Sequence, residues 1–310
     1  MEIFRDSVIL APMVRVSTHP MRLLALSYGA DLVFTEEIID YKLCNTQLIN
    51  NGTVNQSLPL PFHTELLNTT DFVGTDNAIV FRTSHEERHK VFLQLGTANP
   101  EKALEAAKRV EKHVAGVDVN MGCPKDYSIK GGMGAALLHK PDLIKAILST
   151  LVDNLHIPVS CKIRLLPSLE DTLKLARLIE SCGVCALTVH GRRKTEKPSD
   201  TCRLEEIKRI AEALAIPVIA KYAFACVYLC PPSGGSKEHI RLHDDIAFFR
   251  QQTGASGVML ARAAMWNPAI FSPDPPQRTQ LEVARQYLKL VLFCINYPMH
   301  SIHSSLSRVQ

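Results

Sequence analysis

"VDVNMGCPKDYSIKGGMGAALL", from Val117 to Leu138, is the stretch on which the rest of the chain turns. A β-branched apolar run ends in Asn120, and Cys123 follows one glycine later. A loop with Lys125, Lys130 and glycines 131, 132 and 134 comes next. The chain therefore places a thiol in a basic, glycine-rich loop just off the end of a strand. What surrounds it must explain why.

Seven more short runs resemble that strand: "SVILAPM" from Ser7, "DLVFTEE" from Asp31, "VFLQLG" from Val91, "PVSCKIR" from Pro158, "CALTVHG" from Cys185, "IPVIA" from Ile216 and "SGVMLAR" from Ser256. Amphipathic helical patterns separate most of them. Between Asn99 and Gly116, Asn99 can cap and Pro100 suits a first turn; Leu104, Ala107, Val110 and Val114 share a face, and Gly116 is expected to end the helix. Ser168 caps a second helix, with Asp171 three positions on and Gly183 as its stop. "THPMRLLALSYG" and "KPDLIKAILSTL" also read as helices.

Eight strands alternating with helices predict an α/β protein, a closed parallel (β/α)8 TIM barrel. A doubly wound open sheet is the alternative, but "LAPMVRVSTHP" after the first strand lacks the glycine-rich turn of that fold. Cys44 to Lys90 is too long for a plain crossover and reads as a helix plus an extra hairpin. "SPDPPQ" marks a boundary near residue 273, so that 1–272 form the barrel and 273–310 a short helical segment with a polar tail.

Hydrophobic residues make up 46% and charged residues 21% of the 310, ordinary values for a soluble globular protein. The net charge of +4 permits a polyanionic partner without requiring one. Nine cysteines without a regular framework, no signal segment in "MEIFRDSVILAPM", and an apolar stretch "YLKLVLFCI" too short to span a bilayer point to a reducing setting with free thiols. A cytoplasmic protein without a membrane, with the nucleus left open, is the expectation. The sequons at Asn51, Asn55 and Asn68 are then chance matches.

In such a barrel, active-site groups sit where strands enter their following loops. Those ends carry Pro12 and Met13, Glu36, Gln94, Asn120 with Cys123, Lys162 with Arg164, His190 with Arg192, and Arg262. Taken singly, Lys162 is a solvated lysine, His190 a satisfied core histidine and Cys123 one more buried thiol. As nearly a full ring at matching strand ends they point to function. Arg192, Arg193, Lys194 and Lys197 join Lys125 and Lys130 in making the mouth loops basic. That run is either a solvated face or a guide for a phosphate-rich substrate, over which the glycine-rich loop would close.

The runs "DVNMGCPK", "CKIR", "TVHGR" and "ARAAMWNPAIF" resemble the tRNA-dihydrouridine synthase family, in particular its eukaryotic type 2 branch, over roughly residues 8 to 271. The resemblance implies an FMN-containing barrel that reduces the C5–C6 double bond of a tRNA uridine, with NADPH recharging the flavin. Hydride from the flavin would reach uracil C6, and Cys123 would protonate C5 as a thiol rather than a thiolate. The thiol loop would act as a lid over a flipped-out base. Asn120 would help hold uracil and flavin. Pro12, Met13 and Val14 would back the flavin ring, Gln94 would bond its edge, and Lys162 would lie near N1–C2. His190 would contact flavin or ribityl, Arg192 or Arg164 would serve the substrate, and Ala261 and Arg262 would bind the flavin phosphate. Glu36 matches an acidic position near the ring, with Glu37 adjoining it. A monomer acting on tRNA is implied.

Two departures stand out. The family's seventh strand runs straight into an N-G-G turn, whereas "KYAFACVYLCPPS" intervenes here before Gly234 and Gly235, and Ser233 replaces the asparagine. The insert either bulges out, extends the strand or blocks FMN, and impaired activity is the expectation. Its Cys226, Cys230, His239 and His243 are too closely spaced in the middle for a usual zinc finger, so no metal is expected. Beyond Phe271 there are four Lys/Arg against two Asp/Glu and little of the family's helical domain, so a weak grip on tRNA is expected. Two other functions stay open: an FMN oxidoreductase acting on a small pyrimidine or enone, and a flavin-free variant that binds RNA or protein.

Overall fold

The computed structural model describes residues 2–51, 68–197, 200–221, 243–273 and 280–294. Eight parallel strands close into a barrel: β1 Val8–Leu10, β2 Leu32–Phe34, β3 Val91–Gly96, β4 Gly116–Met121, β5 Val159–Leu165, β6 Ala186–Arg193, β7 Val218–Lys221 and β8 Gly257–Leu260. Each pairs with its neighbours in chain order, β8 returns to β1, and Val33 against Val91 joins β2 to β3. Every one of the eight expected strands is present.

Helices follow the strands on the outside: α1 His19–Ser27, α2 Pro100–Val110, α3 Pro141–Asn154, α4 Leu169–Ser181, α5 Leu204–Ala213, α6 His243–Thr253 and α7 Arg262–Trp266. The caps form as the sequence suggests, with Asn99 Oδ1 accepting from Lys102 N at 2.8 Å and Ser168 Oγ from Asp171 N at 3.4 Å. Gly183, at φ +82°, stops α4. Gly116 does something else. Helix α2 ends at Val110, and Gly116 is the first residue of β4, where a Cβ would run into the ring of Phe92. The glycine is there to admit an aromatic, and was misread as a helix stop.

The long β2–β3 connection holds a short helix, Asp40–Cys44, and an antiparallel sheet of three strands, Gln47–Asn51, Thr69–Val73 and Ile79–Ser84, one more than a hairpin. A last helix, α8 Gln280–Cys294, packs on α1: Tyr28 Oη donates to Gln286 Oε1 at 2.7 Å, and Cys294 Sγ lies 3.2 Å from His19 Nδ1. No helix among the described residues is long and apolar enough to cross a membrane. The described cysteines are free thiols.

The core has two parts. Strand residues of one parity face the helices, as Val117, Val119, Ile163 and Val189 do. Those of the other parity fill the barrel: Ile9, Ala11, Leu32, Phe34, Phe92, Ala186, Ile219, Met259 and Ala261, with Phe92 stacked on Phe34 at 5.2 Å. This inner cluster lies at the bottom and along β8, β1 and β2. Along β3 to β7 the inward positions nearer the strand ends are polar: Gln94, Asp118, Asn120, Ser160, Lys162, Thr188, His190 and Lys221. The barrel mouth therefore has an apolar side and a polar side.

Candidate active site

Strand parity brings four side chains into one hydrogen-bonded line. At the deep end Asp118 is fully buried; Ser160 Oγ donates to its Oδ1 at 2.8 Å and Gln94 Nε2 to its Oδ2 at 2.7 Å. That fixes the Gln94 amide, so its Oε1 faces Asn120 Nδ2, 3.1 Å away. Asn120 is left with its oxygen pointing up, where the backbone N–H groups of Gly122 and Cys123 donate to it at 2.9 and 3.0 Å. A carboxyl at the barrel centre thus sets the position of the Cys123 loop.

Burial raises the Asp118 pKa to about 6, opposed by its hydrogen bonds from Gln94 and Ser160 and by Lys162. Folding therefore favours its protonated form, and the stability this contributes is full below the unfolded value of 3.8 and lost as pH rises through about 6. Between about pH 4.5 and about pH 7, wild type should lose ~2 kcal/mol more than Asp118→Asn. Urea unfolding at the two pH values measures this; equal losses in the two proteins would mean that the carboxyl is not buried as described.

Cys123 stands on the same rim as Lys162 and within its electrostatic reach. Its Sγ is 3.8 Å from the Tyr127 hydroxyl, which donates to Glu37 Oε2 at 2.8 Å, while Ser128 donates to Glu37 Oε1 at 3.1 Å. Burial, and then the Glu37 carboxylate, push the thiol pKa above 9.0. At neutral pH the group is a thiol, able to give a proton. The thiol loop is a folded unit: a short helix at Asp126–Lys130 and a 3-10 helix at Gly134–His139. Gly134, at φ +57°, lets the two halves meet, since a Cβ there would lie 2.7 Å from the Cys123 carbonyl oxygen.

Opposite this loop the rim is cationic. The registers Asn120–Lys162, His190–Arg164 and His190–Lys221 place these groups on adjoining strands. Lys162 keeps part of its surface open to the mouth; burial and then Arg164 lower its pKa to about 8. His190 is buried and neutral, its pKa held well below 6.5 by burial and the surrounding cations. Arg164 donates to the Gly122 carbonyl at 2.7 Å and so braces the Cys123 loop from the other side. Arg192 is buried and donates from Nε to the Asp200 carbonyl at 2.7 Å, while its Nη2 finds no partner among the described residues. It lies beside Arg262, in the cation group rather than out among the mouth lysines. Lys125, Lys130, Lys194 and Lys197 are the exposed cations of these loops.

The apolar side is closed by the turn after β1. Ser17 Oγ donates to the Ala11 carbonyl at 2.7 Å and accepts from Met13 N at 3.0 Å, so Pro12, Met13 and Val14 are presented as backbone. Glu36 accepts from Arg15 N at 2.8 Å and props the same turn. The two adjoining acids are thereby separated in role: Glu36 serves the β1 turn and Glu37 the thiol loop. Ala261 closes β8 and Arg262 opens α7. Gly234, Gly235 and Cys226, Cys230 and His239 lie outside the described residues, as does nearly all of the 221–233 insert. Among the described residues no cluster of three or more His, Cys, Asp or Glu could hold a metal.

Residues 9–291 match the family model described as "Dihydrouridine synthase (Dus)". The chain belongs to the dihydrouridine synthase family. It is 38% identical to the tRNA-dihydrouridine(20) synthase [NAD(P)+] of Schizosaccharomyces pombe over 93% of this chain and 56% of that protein. Identity to the tRNA-dihydrouridine(20) synthase [NAD(P)+] of Saccharomyces cerevisiae is 36%, over 86% of this chain and 67% of that one. The chain thus spans little more than half the length of the first of these relatives. Among solved structures, a DHODH from Eimeria tenella in complex with ferulenol aligns with a TM-score of 0.53 over 95% of this chain and 84% of that one. At 13% identity that likeness speaks for the fold alone.

The site of this dihydrouridine synthase family member suits a planar ring with one apolar and one polar edge and an anionic tail. Pro12, Met13 and Val14 offer the apolar wall, Gln94, Asn120 and Lys162 the polar one. Arg192 Nη2 and Thr188 Oγ1, without a partner among the described residues, are buried donors that such a ligand could satisfy.

Proposed function

We propose that this chain is the catalytic barrel of a flavin-dependent reductase that converts a tRNA uridine to 5,6-dihydrouridine. FMN is the group that the two-sided mouth fits, and when bound it supplies the hydride. The apolar Pro12–Val14 wall would hold the ring. Gln94 and Asn120 would bond its pyrimidine edge, and the Lys162 ammonium would favour negative charge there. The His190, Arg192 and Arg262 corner, with Ala261, would take the phosphate.

The observation that carries this reading is the state and place of Cys123: a thiol kept protonated on the rim facing Lys162. Reduction of a C5–C6 double bond needs a proton delivered to C5 from one face, and Cys123 would deliver it. Glu37 holds the thiol protonated by repulsion; Asn120 and Arg164 hold the loop at a set height. Exposed Lys125, Lys130, Lys194 and Lys197 would meet the phosphates of the RNA, with NADPH as reductant.

The purified protein should be yellow or take up FMN stoichiometrically, bleach with NADPH, and add two mass units to uridine in a tRNA transcript. Equal activity on free uracil would favour a small pyrimidine as the true substrate. Failure to bind added FMN would overturn the proposal.

A further inference from the structure

One cation of the mouth was not singled out from sequence, where Lys221 passed as the first residue of the insert. It is the last residue of β7, two places after inward-facing Ile219, so its side chain enters the barrel. Its Nζ lies 3.5 Å from His190 Nε2. Among the described residues, the charged groups that act on it come from β5, β6 and the start of α7 and are cations: Lys162, Arg164, Arg192 and Arg262. The mouth's acids are engaged elsewhere, Asp118 with Gln94 and Ser160, Glu37 with Tyr127 and Ser128, Glu36 with Arg15. In the same corner Arg192 buries an Nη2 with no partner among the described residues.

We propose that Lys221 is a proton-coupled anchor for a phosphate monoester, which enters between Lys221, His190 and Arg192 and draws one proton onto the Lys221 amine. Burial and four cations hold the pKa of Lys221 well below 10.5, which favours the neutral amine at 3.5 Å from His190 Nε2. A phosphate dianion reverses the local potential. The amine then takes a proton from solvent, and the ammonium donates to phosphate oxygen and imidazole together. No bond is made or broken beyond that N–H. Only the identity of the phosphate carrier, FMN, rests on the function proposed above.

Calorimetric titration of the flavin-free protein at about pH 8, in two buffers of different ionisation enthalpy, counts the protons. Inorganic phosphate and FMN should each take up about one proton, and riboflavin none. Lys221→Met should abolish the uptake and weaken FMN by about tenfold or more while leaving riboflavin unchanged. Lys221→Arg, charged throughout, should retain FMN with no uptake, which guards against a folding defect in the methionine variant. Unchanged uptake in Lys221→Met, or equal uptake with riboflavin, overturns the proposal. Phosphate uptake with a proton but no FMN binding would sink the flavin reading and leave Lys221 standing. FMN binding without a proton would do the reverse.

Discussion

Cys123→Ala should slow dihydrouridine formation by roughly 10²–10⁴-fold, the usual worth of a positioned general acid. Flavin binding and its reduction by NADPH should be unaffected, because in the proposed function the thiol serves the uridine and not the flavin. Stopped-flow separates the two half-reactions: bleaching by NADPH at the normal rate, followed by slow reoxidation by tRNA. The large effect follows from how much of the local structure is committed to this one group. Asn120 and Arg164 pin its loop, Gly134 admits its backbone, and burial with Glu37 keeps it protonated. A variant that reoxidises at the wild-type rate would remove Cys123 from the mechanism.

Glu87→Ala should cost about 3–5 kcal/mol of stability, the price of leaving a buried arginine unpaired. Glu87 is 0% exposed and Arg22 3%; Arg22 donates to both Glu87 oxygens, at 2.7 and 2.6 Å. Two further guanidinium hydrogens go to the carbonyls of Ser17 and Arg82, so α1, the β1 turn and the three-stranded sheet are tied at one point. For a chain of this size the melting temperature should fall on the order of 10 °C. The double replacement Arg22→Met with Glu87→Leu should recover most of the loss, since an apolar pair leaves no stranded charge. Melting of Glu87→Ala at the wild-type temperature would show that Arg22 reaches water on its own. Because Ser17 also shapes the Met13 turn, the same variant should loosen flavin.

The barrel could be read from the chain because its strands are short β-branched runs of one period, closed by polar residues at matching ends. Cys123, Asn120, Lys162 and His190 were visible for the same reason: each terminates such a run. Asp118, Ser160 and Lys221 escaped notice because nothing local distinguishes them. Asp118 sits inside an apolar run and Lys221 at the head of an insert, and only counting inward positions from Ile219 or Asn120 would have flagged them. Gly116 was misassigned since its partner, Phe92, belongs to a neighbouring strand.

Periodicity, caps and strand-end chemistry are properties of neighbours along the chain, and they sufficed for the architecture, while runs such as "DVNMGCPK" carried the resemblance to the family. Which acid props which turn, which amide faces which way, and which lysine stands among cations depend on groups far apart in sequence but a few ångströms apart in space. Electrostatics and hydrogen bonding act over that distance. Those roles were decided only when the barrel closed.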